Sequence, residues 1–261
     1  MFSKKVIYSF LLSLFFLSFS ANSADLNEIL KSGEVKIAVP ESFAPFGSVG
    51  KSGEHEGYDV DVAKLIAKDL GVKLKIVPVV SKQRIPFLET DKVDLVISTM
   101  GANPSRAKSI NFSSAYAPFY SGVFAPSSIK VSSYSDLEGL TIGVTGGTLE
   151  DLELTKRAPK GAKITRFGDN AATLSAIKSK QVQVLVAGNT VAASVTEANP
   201  DFDLERKFII KDSPCFIGIK KGNEDLLRWV NVFILHKKLG GGLNKISQKW
   251  LGQDLPALPS L

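Results

Sequence analysis

VDVAKLIAKDLGVKLKIVPVVSKQRIPFLETDKVDLVIS, residues 60 to 98, carries a helix, a strand, a short helical turn and a second strand. From Val60 to Leu70 the apolar residues Val62, Leu65, Ile66 and Leu70 recur at the spacing of an amphipathic helix, and Gly71 ends it. Val72 to Val80 alternates as a strand, and Ile85 to Leu88 makes one helical turn. Asp94 to Ser98 (DLVIS) is an apolar run of the kind buried on both faces of a parallel sheet. One step upstream, Val35 to Val39 (VKIAV) adds a strand led by Gly33. Strand, helix, strand, helix, strand predicts an α/β unit on a parallel sheet.

The pattern then repeats. Tyr116 to Pro126 (YAPFYSGVFAP) reads as an extended segment leaving the first unit, and the serine-rich stretch Ser127 to Ser135 as a polar connector. Thr141 to Val144 is a strand, Leu149 to Thr155 a helix, Lys163 to Phe167 a strand, Ala171 to Ile177 a helix, Val182 to Ala187 a strand and Thr190 to Ala198 a helix. Phe208 to Lys211 and Cys215 to Lys220 are strands able to carry the chain back, before an amphipathic helix from Asp225 to Leu239 and a last helix to Leu251. These boundaries predict a first lobe over 25–126, a second over 127–213, and a return to the first over 214–261. Two such lobes leave a cleft between them, and interdomain clefts are preferred ligand sites.

The chain opens on an export signal. Lys4 and Lys5 precede an apolar run from Val6 to Phe19, and small residues follow to Ala24, so residues 1–24 read as a signal peptide. The run is too short to span a bilayer, which takes about 20 apolar residues. The mature chain is expected in the periplasm, not membrane-inserted, and monomeric. Loss of Lys4 and Lys5 lowers the formal net charge from +6 to +4. The remaining Lys residues are scattered without interleaved aromatics, which predicts no nucleic-acid partner. The single cysteine, Cys215, permits no internal disulfide and lies in an apolar strand, as an inert buried thiol would.

Two stretches look toward anions. In VISTMGANPSRAKSINFSSAY (96–116), Asn103 reads as an N-cap and Pro104 as a first helical residue, which puts Arg106 in the first turn of a short helix. A cation there is mildly unfavourable unless an anion sits nearby, and a guanidinium fork matches a carboxylate. The other reading is a solvated Arg, or one paired with a nearby Glu. In TIGVTGGTLED (141–151), Gly146 and Gly147 let the backbone approach a ligand and Thr148 caps the next helix, with Glu150 and Asp151 complementing its dipole. The stretch is neither a phosphate-binding P-loop nor a dinucleotide fingerprint. Phe43 and Phe46 flank Ala44 and Pro45 in a long loop that proline is expected to keep extended; one ring can face a ligand, and Phe46 is the better core anchor.

In order and spacing, FAPF, GYDVDVAKLIAKDLG, RIPFLETDKVDLVI, NPSRAKSINFSSAY, DLEGLTIGVTGGTLED, GIKKGNEDLLRWVN and KISQKWLG resemble the periplasmic solute-binding proteins of polar amino acid ABC importers, extracellular solute-binding protein family 3. The resemblance implies a type II periplasmic binding protein fold, two α/β lobes joined by two crossing strands, that closes over a small carboxylate and delivers it to an inner-membrane ABC permease. It implies that Arg106 grips the α-carboxylate, that groups at Ser98, Thr99, Gly101 and Thr148 assist, and that Phe43 packs on the ligand. Arg84 is either a second cation facing the cleft or a surface residue. The family usually carries an Asp after the second-lobe strand to meet the ligand's ammonium; here VQVLVAGN puts Gly188 there, with Asn189 next. Ser or Thr types common at the positions of Gly101 and Leu149 are also absent. A buried ammonium without a counter-charge is costly. The expected ligand is therefore a small carboxylate without a free ammonium, or an amino acid whose amine is held by carbonyls.

No cofactor, metal or catalytic group is expected. His55 and His236 fall in a charged loop and on an amphipathic helix, not at metal-ligand spacings. Two alternatives remain: a dehydratase on the solute-binding fold, for which no acid lies at 186–190, and a sensory ligand-binding module.

Overall fold

The computed structural model describes residues 26–190, 193, 195 and 201–259. The segment expected to be a signal peptide and most of the helix expected over Thr190 to Ala198 lie outside the described residues. In chain order the elements are α1 (Leu26–Ser32), β1 (Glu34–Pro40), β2 (Ser48–Val49), β3 (His55–Glu56), α2 (Tyr58–Leu70), β4 (Lys73–Val79), α3 (Arg84–Glu89), β5 (Leu95–Gly101), β6 (Ile110–Ala117) and β7 (Tyr120–Ala125). They continue as β8 (Thr141–Thr145), α4 (Leu149–Arg157), β9 (Lys163–Phe167), α5 (Asn170–Lys178), β10 (Val184–Gly188), β11 (Glu205–Asp212), β12 (Cys215–Lys220), α6 (Glu224–Leu239) and α7 (Gly242–Leu251).

Two five-stranded sheets organise the chain, ordered β4-β1-β5-β12-β6 and β11-β7-β10-β8-β9. β1 runs parallel to β4 and β5, and β8 parallel to β9 and β10. The strands bordering the two crossings, β12 and β7, pair antiparallel within their sheets. This is the two-lobe, type II architecture. One boundary moves: β7, expected in the first lobe, bonds β10 and β11 of the second sheet. The first crossing therefore lies at Pro118 and Phe119, ahead of residue 126, and the second between Asp212 and Cys215.

Local sequence explains the elements nearest the cleft. α2 buries Tyr58, Val62, Ala63, Ile66 and Leu70 on one stripe and stops where Gly71 turns left-handed. Each large apolar side chain so buried contributes about 1.5–3 kcal/mol. β5 is buried along its whole length, as its apolar run requires between β1 and β12. Core residues of both lobes, among them Phe43, Phe46, Tyr116, Phe124 and Leu185, form one continuous cluster, with Phe119 packed against it. The Phe43 to Gly47 segment is not extended: Phe43 N donates to Gly47 O (2.6 Å), and Gly47 N donates back to Phe43 O (2.9 Å). The turn seats Phe46 against Tyr58, with ring centroids 5.7 Å apart.

Candidate functional site

Arg106 stands on a single 3-10 turn, Arg106–Lys108, not on the first turn of a helix. Asn103 does cap it: Arg106 N donates to Asn103 Oδ1 at 2.8 Å. Three residues have no appreciable macrodipole, so the positioning of Arg106 comes from its own hydrogen bonds. Nη1 donates to Gly101 O of the first lobe (2.8 Å), and Nη2 to Gly147 O of the second (3.0 Å). One guanidinium thus ties both walls of the cleft, with its other N–H groups left over.

The second wall is built by the helix start the sequence predicts. Thr148 Oγ1 accepts from Asp151 N at 3.2 Å, and Asp151 Oδ2 in turn accepts from Gly147 N at 3.0 Å. Arg166 holds the other oxygen of Asp151 at 2.7 Å. With Asp151 held by the Gly147 amide and Arg166, it is Glu150, one residue back, that lines the cleft. It is 6% exposed, and its Oε1 accepts from Ser121 Oγ at 2.9 Å.

The cleft is lined by Phe43, Arg84, Thr99, Gly101, Arg106 and Phe119 on one side and by Thr145, Thr148, Leu149, Glu150, Asn170 and Gly188 on the other, with Ser213 at a crossing. Its empty space, open mouth included, is about 430 Å³. Arg84 is only 6% exposed, and its Nε donates to Ser98 Oγ at 3.1 Å. Among the described residues its terminal nitrogens bond no protein group. Burial, with Arg106 nearby, pulls the Arg84 guanidinium down to about 10, so it stays cationic at neutral pH. Arg106 is lowered by burial too, and Glu150 offsets this. A buried cation and a half-buried one in a single small cleft call for an anion.

Behind them lies an ionisable support. Asp59, fully buried on α2, accepts from Tyr116 Oη (2.6 Å) and Thr99 Oγ1 (2.7 Å), and holds Thr99 at a φ of 47° in the left-handed region. Burial raises its carboxyl from 3.8 to about 6, while the bonds from Tyr116 and Thr99 and the charge of Arg84 pull it partly back. Between about pH 4 and 6 the folded chain keeps a proton that the unfolded chain has lost. Stability from this group is therefore greatest below pH 4, falls as pH rises to 6 and levels off above, by about 3 kcal/mol. Asp59→Asn keeps an acceptor for Tyr116 and should flatten this part of the profile, read by urea unfolding of both proteins from pH 4 to 7. Parallel profiles would remove the assignment.

Of the residues expected at the site, Phe43, Arg84, Thr99, Gly101, Arg106, Thr148 and Gly188 line the cleft, while Ser98 and Gly147 act through bonds to the two arginines. Asn189 does not line it: its Oδ1 accepts from Tyr120 N at 3.2 Å. Glu150, Phe119, Ser213, Thr145 and Asn170 are additions. Cys215 is fully buried, its thiol pushed well above the usual range by burial and then by Asp59. Among the described residues no His, Cys, Asp and Glu cluster could hold a metal, and no helix is long and apolar enough to cross a membrane.

Residues 35–253 match the bacterial extracellular solute-binding proteins, family 3. The chain belongs to this family. The ABC transporter glutamine-binding protein GlnH of Bacillus subtilis (strain 168) is 30% identical over 207 residues, 78% of this chain and 75% of that protein. A mutant of ArgBP from T. maritima superposes with a TM-score of 0.81 at 30% identity, covering 87% of this chain and 99% of that one. An ancestral amino acid-binding protein, a precursor of cyclohexadienyl dehydratase, superposes at 0.80 with 31% identity, covering 86% and 98%. All three are binding proteins. In this family member the position expected to hold an Asp is closed: a Cβ on Gly188 would overlap the Cζ edge of the Phe119 ring. At Gly101 a Cβ would overlap Ser213 Oγ, so a hydroxyl from the second crossing stands where a Ser or Thr side chain was expected.

Proposed function

We propose that the protein is the periplasmic receptor of an ABC importer for an amino acid, which it holds between its lobes by the carboxylate and presents to the permease on hinge closure. The observation that carries this reading is Arg106, whose guanidinium spans from the Gly101 carbonyl to the Gly147 carbonyl with Arg84 beside it. A carboxylate entering there would find two forks and the hydroxyls of Thr99 and Thr148. The binding-protein names of the relatives support the amino acid class. Crossings of two residues each, 118–119 and 213–214, suit rigid-body closure of the lobes. The premise for excluding an ammonium, a cleft without a counter-charge, is removed by Glu150.

Thermal unfolding with each of the twenty amino acids, and with oxo, hydroxy and dicarboxylic acids, tests the reading. A ligand at 100 times its dissociation constant adds about 2.7 kcal/mol, or roughly 5–10 °C for a chain of this size. No shift with any of them would refute it. The dehydratase reading has one observation in its favour, an acid in the cleft; recovery of the bound compound chemically unchanged excludes it.

A further inference from the structure

Glu150 contributes the one carboxylate among the residues lining the cleft, and no lysine or arginine lies within salt-bridge distance of it among the described residues. Its Oε1 accepts from Ser121 Oγ, on the strand that begins just past the first crossing. That bond uses one acceptor position of a group that offers about four, so the rest of a nearly buried carboxylate is unmatched among the described residues. Arg84 and Arg106 line the same small cleft as Glu150. A cleft lined by two cationic forks and one acceptor-only carboxylate is the complement of a zwitterion. The place after β10 is unavailable for such a group, because the Phe119 ring fills it.

Resting on the carboxylate reading above, we infer that Glu150 is the specificity residue that receives the ligand's α-ammonium, with Ser121 as its positioning residue, so that the site selects α-amino acids over carboxylates lacking the amine. The ammonium donates to the free oxygens of Glu150 while Arg106 takes the α-carboxylate. Removing one partner of a buried charged pair costs several kcal/mol, which corresponds to a loss of affinity on the order of 100-fold.

The experiment measures calorimetric affinities of wild type, Glu150→Gln and Ser121→Ala, each stripped of carried ligand by unfolding and refolding. The probes are L-amino acids beside their 2-hydroxy acids: alanine with lactate, aspartate with malate, glutamate with 2-hydroxyglutarate, leucine with 2-hydroxyisocaproate and phenylalanine with phenyllactate. The amino acid giving the largest thermal shift in the full panel is added with its own 2-hydroxy acid. Wild type should prefer the amino acid of the bound pair about 100-fold. Glu150→Gln, which keeps the acceptor for Ser121, should lose that preference while binding the hydroxy acid within a few-fold of wild type. Ser121→Ala should weaken the amino acid alone by several-fold. Equal wild-type affinity for both members of a pair, or an undiminished preference in Glu150→Gln, would overturn the inference and leave the carboxylate reading standing. Absence of binding by any carboxylate to wild type would overturn the reading itself. If Glu150→Gln does not refold, the wild-type preference and the Ser121→Ala ratio give the answer.

Discussion

Arg106→Ala should lose ligand-induced stabilisation altogether, with affinity reduced at least ~100-fold, while the ligand-free protein unfolds within a few degrees of wild type. Truncating one side of a buried hydrogen-bonded charge pair costs roughly 2–5 kcal/mol, and here two effects coincide. The carboxylate loses its fork, and the lobes lose the bond from Nη2 to Gly147 O that ties the second wall to the first. Folding is little touched, because the 3-10 turn is closed by backbone bonds and by the Asn103 side chain, which accepts from the main chain of residue 106. Arg106→Lys should fall between, since an ammonium keeps the charge but cannot reach both Gly101 O and Gly147 O with a planar fork. Titration calorimetry with the best amino acid of the thermal panel reads all three proteins. Affinity retained in Arg106→Ala would show that the carboxylate sits elsewhere, with Arg84 as the other guanidinium lining the cleft among the described residues.

What the sequence made legible is what local rules govern. The α2 stripe, the buried β5 run, the Gly71 stop and the Thr148 cap each follow from residue types within one turn or one strand, and the structure keeps them. Arg106 and Thr148 could be placed on opposite walls because each sits at a recognisable cap. Long-range pairing set the rest. β7 looked like a continuation of β6, and its transfer to the second sheet depends on partners in β10 and β11 far along the chain. Glu150 and Asp151 are adjacent acids with the same expected dipole role. Which one faces the cleft is fixed by the pairing of Asp151 with Arg166, fifteen positions away and invisible to periodicity. Asn189 looked like a ligand donor, but a crossing strand offered it a backbone N–H instead.

Gly188→Asp, the change that would put an acid at the position where one was expected, should destabilise the protein and not restore a site. The residue ends β10 and is paired to Ser121, so the strand cannot move away without breaking its ladder with β7. A Cβ at this point would overlap the Cζ edge of the Phe119 ring, which is itself wedged edge-on between Phe43 (6.2 Å) and Phe46 (5.8 Å). Forcing extra atoms into such packing costs about 1–3 kcal/mol. A carboxylate left there without a partner adds a desolvation penalty, so a loss of roughly 3 kcal/mol, or about 6–12 °C in melting temperature, is expected. If the clash with Phe119 is the cause, Phe119→Ala in the Gly188→Asp background should recover part of it, although Phe119→Ala alone destabilises. The interaction energy of that double-mutant cycle is then well above the roughly 0.5 kcal/mol expected of independent sites. Additive costs would mean the two residues do not meet, and the space after β10 would be open to an acid after all.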